Sequence, residues 1–408
     1  MAAAQCISRL GAWEGYEVES DEEVRRRGVP WCIIKLKPIT PARRCCSGCG
    51  EWVESVHDLQ PRRLRDLPIF ETPVELIVPR VRLLCPHCGP KLEHLSWLEP
   101  YSRVTVRLAA SVARLCKLMS IRHAAEFYGL AWTTVKRIDK RHLERELGPV
   151  DLEGVQVIAM DEFAIHKGHR YATVIVEPYR KRVLWLGLGR GRKDVRPFFE
   201  LLGPTGRAAL QAVAMDMNEG YAQEVRAQCP AAKIVYDLFH VVAKYGRQVI
   251  DRVRVDEANR LHHDKPARKL VKTARWLLAR NPENVTRPED QIRLRELLAN
   301  NRALFIVYVM KDDLKALWSY RHTGYAERFW KQWHHRAMHS RIAPLKTFAR
   351  NLNGYLPGIL SHCRWPLGTN LVEGINNKIK VIKRMAYGYR DDDYFFLKIR
   401  AAFPGDRR

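Results

Sequence analysis

A chain of 408 residues, with 46% apolar and 28% charged side chains, can bury enough surface for about two to four folded units. That excludes a lone binding module, a disordered chain and a small disulfide scaffold. Lys and Arg total 70 against 45 Asp and Glu, a formal charge of +25, so a polyanion, nucleic acid first, is the partner this composition fits. The longest apolar run, Ala303 to Met310, is eight residues, short of the ~18 a membrane span needs, and no membrane partner is expected. Met1 to Leu10 has no apolar core behind a basic head, so no secretory leader is expected either.

In chain order, residues 1 to about 40 end in the alternating stretch Trp31 to Pro38, which predicts a strand. Two Cys-x-x-Cys pairs follow, Cys46/Cys49 and Cys85/Cys88, with strand-like runs Pro73 to Pro79 and Val81 to Leu84 between them; a glycine, Gly50 or Gly89, trails each pair. Four thiolates so paired can surround one Zn²⁺ tetrahedrally, because the glycine permits the tight turn that aims backbone N–H groups at sulfur. A β-rich region over residues 1–100 is expected, with a ribbon at about 40–92 holding one structural zinc. Cys45 could replace Cys46 as ligand, and buried free thiols are the plainer reading. The remaining cysteines, Cys6, Cys32, Cys116, Cys229 and Cys363, are scattered singles, as in a reducing compartment.

From Thr105 to about Leu147, apolar residues recur at three and four with Gly129 as a break, which predicts short helices closed by Pro149. Ala124 and Ala125 would pack a first helix and Thr133 to Ile138 would open a second, a helix-turn-helix within residues 101–150. Trp132, Thr134, Lys136 and Arg137 would then reach bases or phosphates; an ordinary helical pair is the alternative. Five short strands come next: Val155 to Met160, Tyr171 to Val176, Arg182 to Leu188, Ala212 to Met215 and Lys233 to Tyr236. With helices near Asp194 to Leu202 and Gly220 to Gln228, they predict an α/β layer on a mixed sheet. From Phe239 to about Pro366 the pattern is helical, broken at Pro282, Pro288, Pro344 and Pro357, and a last helix is expected from about Thr369 to Lys383.

Two of those strands end in carboxylates, Asp161 and Asp216, the ligand type Mg²⁺ takes. Glu373 sits on the last helix with Asn376, Asn377 and Lys380 three, four and seven residues on. That shared face could bring the acid to a metal while the Asn and Lys side chains hold a DNA backbone. Taken singly, each acid is more often a solvated or capping residue.

The ordered motifs are the two cysteine pairs joined through Arg62 to Phe70, Asp161-Glu162, Gly168-His169-Arg170-Tyr171, Ala214-Met215-Asp216 and Tyr236 to His240, then Glu373 to Lys380 continuing through Lys383-Arg384 to Tyr387-Gly388-Tyr389. This series, from near residue 10 to about 400, resembles the transposases of the ISL3 insertion-sequence family. The resemblance implies a multidomain α/β protein whose ribonuclease-H-like DDE catalytic domain spans 151–253 and 345–403, interrupted by an all-helical insertion at 254–344. It implies Asp161, Asp216 and Glu373 as the catalytic triad holding two Mg²⁺, with Mn²⁺ able to substitute, and Asp237 with His240 as an accessory Asp-x-x-His. The implied substrate is double-stranded DNA, the terminal inverted repeats of an element and a target, cut and joined by a homodimer or higher oligomer in the bacterial cytoplasm at the nucleoid. A domesticated DNA-binding regulator without cleavage is the rival, and three retained carboxylates argue against it. In the insertion, Trp276, Trp318, Trp330 and Trp333 lie among basic residues and either stack exposed bases or pack the helices.

Overall fold

Side chains alternate in and out along Thr72–Cys85, but the parity changes midway: Val74, Leu76 and Val78 are buried before Pro79 and Arg80, and Val81, Leu83 and Cys85 after them. One strand therefore feeds two small cores. The computed structural model describes residues 11, 13–40, 43–166, 168, 170–367 and 370–406. Met1 to Leu10, His169 and Thr369, the expected start of the last helix, lie outside the described residues. The chain divides into two compact units, Met1–Gly148 with Ile382–Leu397 and Pro149–Val381 with Lys398–Arg408.

The first unit opens with a sheet of β1 (Tyr16–Arg26), β2 (Val29–Pro38), β5 (Val56–Ile69), β6 (Thr72–Cys85) and β7 (Gly89–Leu92), beside the short pair β3 (Arg44–Cys45) and β4 (Trp52–Val53). Pro79 does not split β6 because Pro61 of β5 faces it, so both missing N–H groups fall on one rung. Buried Asp66 joins this sheet to the first helix of the next segment. It accepts from Trp13 Nε1 at 2.8 Å, Thr105 Oγ1 at 2.5 Å and Arg107 Nε at 2.7 Å. Asp66→Ala strands three donor side chains and the Leu67 N–H at once and is expected to cost about 2–4 kcal/mol in urea unfolding of this unit. A change below about 0.5 kcal/mol would show that water replaces the carboxylate freely.

Helices Val106–Cys116, Ile121–Tyr128 and Trp132–Leu147 follow. Thr105 and Ser120 cap the first two, and Gly129, at φ 57°, ends the second in the left-handed conformation that frees the third to turn away. Ala124, Ala125 and Val135 are buried between them. Of residues 345–403, expected in the α/β domain, Ile382–Leu397 clusters by contact with the first unit. Polar pairing holds it there: Asp391 takes Lys136 at 2.8 Å and Lys140 at 3.3 Å, and Tyr394 donates to buried Asp139.

The second unit is built on a mixed sheet, order β10-β9-β8-β11-β12: β8 (Val157–His166), β9 (Arg170–Glu177), β10 (Arg182–Leu188), β11 (Ala212–Met215) and β12 (Lys233–Tyr236). The first three are antiparallel, while β11 runs parallel to both β8 and β12. Pairing with β9 carries β8 past Met160 to His166, so Asp161 lies within the strand rather than at its end. Helices Arg192–Ala209 and Glu219–Gln228 connect the later strands. Beyond β12 the fold is helical to Cys363, and Pro282, Pro288, Pro344 and Pro357 sit in first turns, where proline's missing N–H has no partner to lose.

The expected boundary at 253/254 falls inside Asp251–Arg260, which follows directly on a π-turn, Gly246–Ile250, and Leu238–Tyr245. Sheet and helices share one core. Trp318, Trp330 and Trp333 belong to it, the last two stacked at 5.3 Å, whereas Trp276 is 70% exposed. The helix expected to be the last runs Asn370–Met385, and a further helix, Asp392–Ala402, follows it. No helix among the described residues is long and apolar enough to cross a membrane.

Candidate functional site

The turns after β3 and β6 bring four thiols together, Cys46, Cys49, Cys85 and Cys88, with every sulfur within 4.8 Å of the others. Gly50 and Gly89 hold φ of 79° and 66°, as those turns require. The Gly48 N–H lies 3.4 Å from Cys46 Sγ, and N–H donation from Cys49 and Gly48 draws the Cys46 thiol down to about 7. Cys45 stands outside the cluster, its sulfur 3.4 Å from the Gly50 carbonyl, and Cys46 is the one of the two gathered with the other three thiols. A four-thiol set at this separation fits a structural zinc.

The carboxylates come from the sheet. The β8–β11 ladder ends at Ala159 and Ala214, and Asp161 and Asp216 each lie two residues beyond, which sets them side by side. Loss of solvent pushes the Asp161 carboxyl up to about 6; the Glu162 N–H and His240 oppose the rise, while Asp216 and Glu162 add to it. Asp216 is raised for the same first reason, with Glu162 adding to it. Asp216 Oδ1 is buried without a hydrogen-bond partner, an orphaned anionic oxygen of the kind a divalent cation satisfies.

Asn376, expected on a DNA backbone, is instead buried and donates Nδ2–H to Asp161 Oδ2 at 2.6 Å. One helical turn before it, Glu373 is exposed. Among the described residues, the four cysteines are the only set of three or more His, Cys, Asp or Glu ligand atoms gathered within 4.8 Å, so Asp161, Asp216 and Glu373 are not all drawn together that closely. Asn377 and Lys380 are exposed, with Lys380 Nζ 3.3 Å from Asn377 Oδ1. His240 lies near enough to act on both aspartates and stands 3.9 Å from Asp237, which is buried at the start of its helix. Sequence reasoning missed the second roles of Glu162 and Arg190: Glu162 acts on both aspartates and pairs with Arg190 at 2.8 Å. Its place next to Asp161 was the available signal.

On helix Trp132–Leu147, Trp132 is 50% exposed, Thr134 is half-buried and Arg137 is exposed. Lys136, expected at DNA, is half-buried and spent on Asp391. The open face instead carries Thr133, Arg137 and Arg141, spaced by four. Arg141 is a further cation there that the sequence reading passed over.

Three family profiles match in order. A zinc-finger of transposase IS204/IS1001/IS1096/IS1165 covers residues 42–88, a helix-turn-helix domain of transposase family ISL3 covers 93–143, and a transposase profile covers 158–399, more than half of the chain. The chain is 52% identical over 409 residues, 100% of each chain, to the transposase for insertion sequence element IS1001 of Bordetella parapertussis. It is 26% identical over 403 residues, 92% of this chain and 89% of the relative, to the transposase for insertion sequence element IS1557 of Mycobacterium tuberculosis. The chain belongs to the ISL3 family of transposases, and its activity is DNA transposition.

Proposed function

We propose that this transposase binds the terminal inverted repeats of its element and cuts and joins DNA there by Mg²⁺-dependent DDE chemistry, with Asp161, Asp216 and Glu373 as metal ligands. The observation that carries this reading is the pair of neighbouring aspartates with an orphaned Asp216 oxygen at the tips of a parallel register. Two Mg²⁺ ions, when bound, would activate the attacking oxygen and stabilise the leaving one. Asp161 and Asp216 would supply their fixed ligands, Asn376 would hold Asp161 in one rotamer, and Glu373 would add the third carboxylate from its helix. The order of three antiparallel strands followed by two parallel ones supports the ribonuclease-H-like reading. His240 beside the aspartates would offer a proton-accepting ring near the phosphate.

The test is incubation of the protein with labelled duplex carrying the ends of its element, with Mg²⁺ or with chelator, followed by mapping of the cuts. Metal-dependent nicks at the element boundary are expected; tight binding with no cut in Mg²⁺ or Mn²⁺ would favour a regulator instead.

Two weaker effects follow. Because burial raises the Asp161 carboxyl, its protonated form favours the folded protein, and that stability is lost as pH rises through about 6. Mg²⁺ is therefore expected to raise the melting temperature more at pH 8 than at pH 5, and equal shifts would count against a cation at this pair. At the recognition helix, Arg137→Ala with Arg141→Ala is expected to weaken DNA binding and to reduce the salt slope by about two, read by anisotropy across a salt series. An unchanged slope would move the phosphate contacts elsewhere.

A further inference from the structure

The motif Tyr387-Gly388-Tyr389 is used by none of the chemistry above, and its backbone is unusual. Helix Asn370–Met385 ends with Tyr387 N–H bonded to Arg384 O at 3.0 Å and Gly388 N–H to Lys383 O at 2.9 Å, the paired bonds that close a helix through a left-handed residue. Glycine normally fills that position; here a tyrosine holds φ 55° with its side chain 82% exposed. Phe70 and Tyr101 are exposed rings in the same backbone region, and what sets Tyr387 apart is the pocket it borders.

What the ring borders is a pocket of about 230 Å³, within the first unit, between the recognition helix and residues 386–394. Trp132 and Lys136 line one wall, Tyr387 and Arg390 the other. Tyr389, stacked on Phe395 at 4.5 Å, and Tyr394 complete an aromatic lining. The far wall is held in place rather than loosely apposed, since Asp391 caps its helix by accepting from Tyr394 N–H at 3.0 Å and also takes Lys136 and Lys140. Trp132 and Lys136 also border a second, open groove along Thr133, Arg137 and Arg141, so a strand whose phosphates follow those arginines passes the mouth of the aromatic pocket.

We propose that this pocket takes one unstacked nucleobase of the bound DNA, against the Trp132 and Tyr387 rings. The volume suits a single planar heterocycle, aromatic faces stack any base, and Arg390 at the rim, with Arg137 and Arg141 in the adjoining groove, complements the attached phosphates. The proposal rests on the DNA-binding part of the function above and adds to it a site built jointly by the recognition helix and the C-terminal segment.

The experiment compares two single strands of about 20 residues with equal phosphate charge, oligo-dT and an abasic strand, by fluorescence anisotropy on the full-length protein. Wild type is expected to prefer oligo-dT by about tenfold, and Trp132→Ala or Tyr387→Ala to lose about 5- to 10-fold in oligo-dT affinity, most or all of that preference, while binding the abasic strand unchanged. Tyr387→Phe retains the ring and should retain the preference. Tyr387→Gly separates ligand binding from structure: the helix end gains its favoured residue, so the melting temperature should hold or rise while the base preference falls. Equal binding of both strands by wild type, or a preference that survives Tyr387→Gly, would overturn the pocket and leave DNA binding intact. Failure to bind either strand or duplex would overturn the proposed function as well.

Discussion

Asp161→Asn, Asp216→Asn and Glu373→Gln are each expected to lower Mg²⁺-dependent cleavage of an element end by about 10³-fold or more, with affinity for that end held within about threefold. Each exchange keeps the shape of the side chain and removes one negative charge, so a loss reports on charge at the metals rather than on packing. Asp216→Asn is the cleanest of the three, because Oδ1 has no protein partner whose loss could complicate the result. In Asp161→Asn the one amide oxygen can accept from either the Glu162 N–H, 2.8 Å away, or Asn376, 2.6 Å away, but not both. Asp216→Asn should therefore melt no lower than wild type, since removing one charge from a repelling pair favours the folded state. Glu373 is exposed, so its exchange cannot act through an unfolded core, and an inactive Glu373→Gln is the most telling outcome. Near wild-type nicking by any one variant would remove that residue from the site.

Much of this was legible in the chain because its signals are local. Two Cys-x-x-Cys pairs name their own cluster, and β10, β11 and β12 run as their apolar runs predict. Strand β5 was not legible. It lies at the sheet edge with half of its side chains exposed and only two buried, so no apolar alternation marks it. The end of β8 was missed for a related reason: its extension to His166 depends on the β9 hairpin, which lies later in the chain.

The misplaced roles share one cause. Lys136 and Asn376 were read as DNA contacts because a helix pattern assigns residues to a face, and it does not reveal what another segment brings to that face. Asp391 arrives beside Lys136 from 255 residues downstream, and Asp161 meets Asn376 from 215 residues upstream. No periodicity encodes either pairing. The same blindness hid the association of Ile382–Leu397 with the first unit, which polar groups hold as much as apolar ones.

Removal of zinc should unfold the ribbon while leaving the neighbouring sheet in place. The small core under the cluster contains Cys46, Val53, Val81, Leu83 and Cys85, so only three of its side chains are apolar and not metal ligands. Burying those three is worth about 1.5–3 kcal/mol each. Ordering the stretch 43–55 costs about 1.5 kcal/mol per residue, roughly 20 in all, and a structural zinc contributes about 10–16, which closes the gap. The sheet has its own core, with Val74, Leu76 and Val78 packed against Trp13, Tyr16 and Ile34, and does not depend on the cluster. Metal analysis should find about one zinc per chain, lost in Cys85→Ser with Cys88→Ser and retained in Cys45→Ser. Limited proteolysis of the chelated protein should then cut within 43–55 first, at backbone that the turns no longer protect. Gly48→Ala should weaken the metal without removing a ligand, because a Cβ there would lie 3.0 Å from Cys88 Sγ. Freshly purified protein without zinc, or a cleavage pattern that the double serine variant leaves unchanged, would return these four cysteines to ordinary thiols.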